Sequence, residues 1–267
     1  MDKKRKSGKN LRTGRPKIAI LGTGNLATQL GKVVSKNGQL SGIWGRNPAK
    51  TKKLASLLKC PVISSPGDIS KDTTLVIIAV KDDAITEVSN QIIAPDVLVV
   101  HTSGTGSMEL IVQQRKGVLY PLQTFSSDRI PQWKKIPLLI ECSQKKDLAT
   151  LKKIALSISP TVKAIHSEER MKIHLAAVMA CNFSNHFMAL AQEFLKKNKL
   201  SPLLLSPLIE ETALKAADGK AAKHQTGPAR RNDLSTIKKH LALLKHDKQM
   251  LKLYKELSLS IQHFYST

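Results

Sequence analysis

The feature that most constrains this chain is a short apolar run at residues 17–22 (KIAILG) that passes directly into Gly22-Thr23-Gly24-Asn25-Leu26-Ala27. The run reads as a buried strand. The periodic pattern of residues 25–37, halted by Gly38, reads as a helix. A GxGxxA turn between a strand and a helix has a specific physical use. Its first glycine permits the tight turn and its second lets backbone approach a pyrophosphate. The third position, here Ala27, keeps helix and strand close. A diphosphate placed there meets the free N–H groups and the positive end of the helix. Gly22, Thr23, Gly24, Asn25 and Leu26 are therefore expected to hold a dinucleotide.

The rest of the first half repeats the alternation. Residues 40–46 (LSGIWGR) form the second expected strand, and Pro48 opens a helix running to residue 59. Strands follow at 73–80, 97–103, 118–122, 136–142 and 161–166, with Asp82 capping a helix to about residue 93 and a further helix at 145–159. This predicts an α/β fold with a doubly wound, mostly parallel sheet. Composition then changes. Residues 167–198 contain neither Gly nor Pro, which predicts one helix roughly 48 Å long, the spine of a second, all-helical domain. Helical patterns continue at 202–217, 234–245 and 248–265. The expected division is a disordered basic tail over 1–16, a dinucleotide-binding domain over 17–166 and a helical substrate or dimerisation domain over 167–267, with a ligand cleft between the last two.

The end of the second strand bears on which dinucleotide is bound. NAD sites usually place a carboxylate there for the ribose hydroxyls; this chain has Gly45-Arg46-Asn47. Arg46 can pair with a 2′-phosphate and no carboxylate is present to repel it, so NADP is expected. In an open parallel sheet the carboxyl ends of strands line the ligand crevice. That brings Val80, His101, Ser103 and Gly104 into consideration as cofactor contacts. His101 reads equally well as a hydrogen-bonded structural residue.

Apolar residues make up 41% of the chain and aromatics 4%, as in a soluble globular protein, and no apolar run approaches the ~18–20 residues that span a bilayer. The basic N-terminus is followed by no apolar stretch, so no secretory leader is expected. Cys60, Cys142 and Cys181 are widely spaced, fit no metal-ligand pattern and suggest a reducing, cytoplasmic setting. The net charge is +23. Part of it sits in residues 1–17, a tail that can touch RNA or an acidic surface. The remainder is dispersed without interleaved aromatics, which argues against a dedicated nucleic-acid groove.

The middle of the expected spine helix is apolar nearly all round, so it is expected to be buried, yet it carries His174, Asn182, Asn185 and His186. At about 100° per residue these four fall within an arc of roughly 120°, either as an internal network or as one wall of a wet cleft. A second polar cluster, Gln225-Thr226-Gly227-Pro228-Ala229-Arg230-Arg231-Asn232-Asp233, precedes a helix that Asp233 is placed to cap.

The motifs GTGNLA, HTSG, YPLQTF (120–125), HLAAVMACNFSNHF (174–187) and QTGPARRND together resemble a bacterial family of Rossmann-like proteins with a C-terminal helical domain of unknown function. The family is similar in plan to pyrroline-5-carboxylate reductase, ketopantoate reductase, 6-phosphogluconate dehydrogenase and deazaflavin-dependent NADP reductases. The resemblance implies an NADP oxidoreductase and, through the long helix, a homodimer. It also exposes a departure. Related hydroxyacid dehydrogenases carry a lysine on the spine helix one turn before an asparagine; if Asn182 is that asparagine, Val178 stands where the lysine would be. Another group must then move the proton, and His174 and His186 are the candidates. Arg230 could clamp an anionic substrate, with Gln225, Thr226, Gln123 and Thr124 hydrogen-bonding it. Two readings follow: an NADP-dependent oxidoreductase acting on a small anionic carbonyl, imine or hydroxy compound, or an NADP-binding sensor or scaffold without redox chemistry.

Overall fold

The computed structural model describes residues 14–266. The expected basic tail therefore lies almost wholly outside the described residues. Seven strands form one sheet: β1 (Ile18–Leu21), β2 (Leu40–Trp44), β3 (Leu75–Ile78), β4 (Leu98–His101), β5 (Lys116–Pro121), β6 (Leu138–Cys142) and β7 (Val162–Ala164), in the order β2-β1-β3-β4-β5-β6-β7. All neighbouring pairs are parallel except β5 and β6. The exception has a topological cause. Parallel neighbours need a crossover, usually a helix, whereas the β5–β6 connection contains only the 3₁₀ turn Trp133–Lys135.

The helices of this part are α1 (Asn25–Lys36), α2 (Pro48–Leu58), α3 (Ile85–Asn90), α4 (Lys145–Leu156) and α5 (Ser167–Ala177). The period-2 geometry of strands sends successive side chains to opposite faces. Ile18 and Ile20 of β1 thus join Leu75, Ile77, Leu98 and Val100 beneath α1, α2 and α4, while Ala19 and Leu21 join Val76, Ile78 and Val99 beneath α3. Every residue of β1, β3 and β4 is buried, which is why these strands read as unbroken apolar runs. Each fully buried Ile, Leu or Val contributes about 1.5–3 kcal/mol relative to leaving it in water.

The described residues form two compact units, one up to Ser184 and one from Asn185 onward. The division falls inside the long helical run, between Ser184 and Asn185. That run is not one uniform α-helix. After α5 comes a π-helical segment, Val178–Phe183, then α6 (Ser184–Lys197). A π segment accommodates an extra residue in its turns, so it does not follow the uniform step of about 100° per residue. The uniform α-helical period behind the expected 120° arc of His174, Asn182, Asn185 and His186 therefore does not hold through this run. Nor is the middle of the run buried as expected: Leu175, Met179 and Phe183 are 60%, 57% and 55% exposed. The second unit continues with α7 (Ser206–Ala216), α8 (Leu234–Leu243) and α9 (Lys248–Tyr265). Asp233 caps α8 by accepting from the Thr236 N–H at 3.0 Å.

Candidate functional site: a dinucleotide cleft at the carboxyl edge of the sheet

A cleft of about 420 Å³ opens where β1, β2 and β3 end. The turn residues Gly22, Thr23, Gly24, Asn25 and Leu26 form one side, Arg46, Asn47 and Lys50 another, and Val80, Lys81 and Thr102 a third. Gly22 adopts φ +145°, and a Cβ on it would lie 2.1 Å from the Ala79 carbonyl oxygen, so no other residue fits that turn. Gly24 differs in kind. Its φ of −77° suits any residue, and a Cβ there would meet no protein atom within 4 Å. The space it leaves is cleft space, available to a ligand.

Gly24 also stands at the N-terminus of α1, which has no side-chain cap and no acid in its first turn. Those first-turn amides have no partner within the helix, so an anion can satisfy them. The charged residues lining the cleft are Arg46, Lys50 and Lys81, with no carboxylate among them. Arg46 and Lys50 make no ion pair among the described residues. Asn47 caps α2 by accepting from the Lys50 N–H at 2.9 Å, which sets Lys50 in that helix's first turn. An anionic dinucleotide bearing a further phosphate near Arg46 matches this lining in charge, shape and donor supply. The YPLQTF segment borders the same turn: Asn25 Nδ2 donates to the Phe125 carbonyl at 3.2 Å, and Gln29 Nε2 to that of Ser126. Gln123 and Thr124 are exposed, and Gln123 Oε1 accepts from the Thr124 N–H and hydroxyl.

In the loop after β4, His101 takes the structural one of its two expected places. His101 is fully buried. Its Nδ1 accepts from the Ser103 N–H at 3.1 Å, so its Nε2–H donates to the Ser107 carbonyl at 3.0 Å. Burial, with the Arg170 charge, pushes its pKa down to about 4, and it stays neutral. Ser103 is equally committed: its hydroxyl donates to Asp82 Oδ2 at 2.6 Å and accepts from the N–H groups of Thr105 and Gly106. Asp82 caps no helix; it accepts from Ser103 and Thr105 and fastens this loop to the end of β3. His101 and Ser103 thus spend their polar atoms on building the loop, and Thr102 is its member that faces the cleft.

His174, on α5, packs against this loop: a Cβ on Gly104 would fall 2.3 Å from His174 Nδ1. Its Nδ1 lies 3.0 Å from the hydroxyl of Tyr120, at the end of β5. One turn earlier, Arg170 is completely buried and paired with Glu141 at 2.6 Å. Although burial alone would raise its pKa, the Glu141 carboxyl is held below the usual range by the Arg170 guanidinium and the Ser167 hydroxyl. Asn182 is exposed on the π-helical segment. Asn185, His186, Gln225, Thr226 and Arg230 belong to the second unit. There the Arg230 guanidinium stacks on the Tyr265 ring, 4.6 Å from its centroid.

Residues 17–104 match the family described as NADP oxidoreductase coenzyme F420-dependent, and residues 136–261 a domain of unknown function, DUF2520. A Bacteroides fragilis protein described as an NADP oxidoreductase is similar at 36% identity over 93% of this chain and 98% of its own, with a TM-score of 0.85. The chain belongs to this NADP oxidoreductase family. Its cofactor is NADP. Two further solved structures share the fold of the oxidoreductase. One is a Thermotoga maritima protein, at 23% identity over 93% of this chain and 98% of that one, TM-score 0.71. The other is the Aspergillus terreus reductive aminase in complex with NADPH and ethyl levulinate, at 14% identity over 94% and 95%, TM-score 0.70. None of the curated proteins matches the chain.

Sequence reasoning overlooked Lys50, Lys81 and Thr102 as lining residues of the oxidoreductase cleft and the pairing of Tyr120 with His174. The signals were there in part. Lys50 opens the helix after β2, and Thr102 and Tyr120 sit at carboxyl ends of strands, where ligands gather in such sheets.

Proposed function

We propose that this oxidoreductase transfers hydride between NADP(H) and a small anionic carbonyl, imine or hydroxy compound. When bound, the nicotinamide supplies or accepts the hydride at C4. Gly22, Thr23, Gly24, Asn25 and Leu26 hold the diphosphate through backbone amides, and Arg46, helped by Lys50, holds the 2′-phosphate. Val80 and the loop containing His101, Ser103 and Gly104 form the wall beyond. His174 exchanges the proton, since an imidazole nitrogen can give or take one and the Val178 side chain cannot. Asn182 positions the reacting oxygen or nitrogen. Gln123 and Thr124 hydrogen-bond the anionic end; in the helical unit, taken by itself, Asn185, His186, Gln225, Thr226 and Arg230 are further groups that can bind an anion. Stacking on Tyr265 occupies only the face of the Arg230 guanidinium, which leaves its N–H fork for a carboxylate.

The observation that carries this reading is the pairing of an all-cationic dinucleotide cleft with a histidine seated against its bordering loop. The test is loss of NADPH absorbance over a panel of 2-oxo acids, cyclic imines and keto esters, ethyl levulinate included. At least one member is expected to consume NADPH stoichiometrically, with Arg46→Ala raising the KM for NADPH about tenfold or more. NADP binding without turnover across the panel would overturn it.

A homodimer in the cytoplasm completes the proposal. The apolar side chains Leu175, Met179 and Phe183, together with Leu208, Leu214 and Leu259 of the second unit, are exposed in the single chain. Exposed apolar side chains in each unit offer surface for an interaction, and a second copy is the commonest partner. The cysteines are all free, which fits a reducing compartment. Among the described residues no helix is long and apolar enough to cross a membrane.

A further inference from the structure

The Tyr120–His174 pair admits two hydrogen-bond directions, and counting donors selects one. Tyr120 is buried, and burial pushes its phenol pKa up, so the hydroxyl keeps its proton. Among the described residues His174 Nδ1 is its one hydrogen-bond partner. Were the imidazole to donate from Nδ1, the part-buried phenolic O–H would lose the one acceptor that the described residues offer it. The phenol therefore donates, Nδ1 accepts, and the neutral ring carries its proton on Nε2. That atom has no hydrogen-bond partner among the described residues.

The ring is also held in place. Gly104 presses backbone against it where no Cβ would fit. The loop bearing Gly104 is fastened at both ends, by Asp82 to Ser103 and Thr105 and by Arg170, which donates to the Gly106 carbonyl. Arg170 in turn is fixed by Glu141 and Ser167.

We propose that Tyr120 is the positioning residue that sets His174 as an Nε2–H donor, so that the two form a proton wire leading into the site. The inference rests on the oxidoreductase reading above. As negative charge develops on the substrate heteroatom, the His174 Nε2–H bond breaks and the heteroatom–H bond forms. Nδ1 takes the phenolic proton. The phenolate left behind lies near the buried Arg170 charge, which favours it, and water returns the proton. The wire runs in reverse for oxidation.

The test needs no substrate. Nitrogen-15 histidine spectra of the full-length protein, at a pH where the imidazoles are neutral, report which ring nitrogen carries hydrogen. Wild type should show His174 with Nε2 protonated and with Nδ1 shifted as a hydrogen-bond acceptor. Tyr120→Phe should move Nδ1 to its unbonded position while leaving the NADP+ Kd within about twofold. NADP+ should then shift the wild-type Nε2 signal, and 2′,5′-ADP, which lacks the nicotinamide, should not. A proton on Nδ1 in wild type, or an unchanged Nδ1 in Tyr120→Phe, overturns the proposal. Equal responses to NADP+ and 2′,5′-ADP, both bound, also overturn it. Failure of NADP+ to bind at all sinks the functional reading instead, while the tautomer result still judges the pair.

Discussion

The two units of this molecule solve burial in opposite ways. In the first, three strands are shielded on both faces, and side chains from alternate positions fill a separate layer on each side of the sheet. In the second, over the described residues from Asn185 onward, Ala229 and Leu244 are the buried hydrophobics, while leucines on α7 and α9 stay exposed. A sheet covered by crossover helices closes its own core. A set of amphipathic helices closes one only when another surface lies against their apolar stripes. The contrast teaches that the nucleotide-binding unit buries its own apolar residues, whereas the helical unit by itself leaves much of its apolar surface exposed.

That contrast can be broken by mutation. The largest effect belongs to the sheet: Ile77→Ala should cost about 2–5 kcal/mol in denaturant unfolding, because the transfer loss adds to a cavity that close packing cannot refill. A cost below about 1 kcal/mol would mean that the layer is looser than its burial implies.

Next comes the buried imidazole. His101 has a folded pKa of about 4 against 6.5 for the unfolded chain. Between those values the unfolded state binds the proton and the native state does not, so stability falls as pH drops from 6.5 towards 4, by up to about 3 kcal/mol. His101→Asn should be weaker at pH 7 yet lose less over that window. Parallel pH–stability curves for the two proteins would contradict the buried, neutral assignment.

The smaller effect belongs to the helices. Leu208→Ser with Leu259→Ser should leave the unfolding of the first unit within about 0.5 kcal/mol, as substitutions at exposed sites do. It should weaken self-association by about tenfold or more in sedimentation. No change in association would show that those leucines face solvent and that the helical unit is covered elsewhere.

What was legible in the sequence follows the same divide. β1, β3 and β4 stand out because strands shielded on both faces are near-continuous apolar runs, and the phosphate turn stands out because its glycines serve backbone geometry. The reversal of β6 did not stand out, since direction depends on a connection rather than on strand composition. The π-helical segment was hidden because a helix read at uniform period looks continuous across it. His101 could not be separated from a ligand-facing histidine, for the atoms that absorb its two nitrogens come from its own loop, folded back. Tyr120 and His174 lie far apart in the chain, and only the third dimension joins them.

The most direct test of the central claim is calorimetric titration of the full-length protein and of Gly24→Val with NADP+ and NAD+. The space beside Gly24 holds no protein atom, so the variant should fold with an unchanged Tm and yet lose affinity for both coenzymes by about a hundredfold. Wild type should favour NADP+ over NAD+ by about tenfold or more through Arg46. Undiminished binding by Gly24→Val, or NAD+ bound as tightly as NADP+ by wild type, would contradict the account.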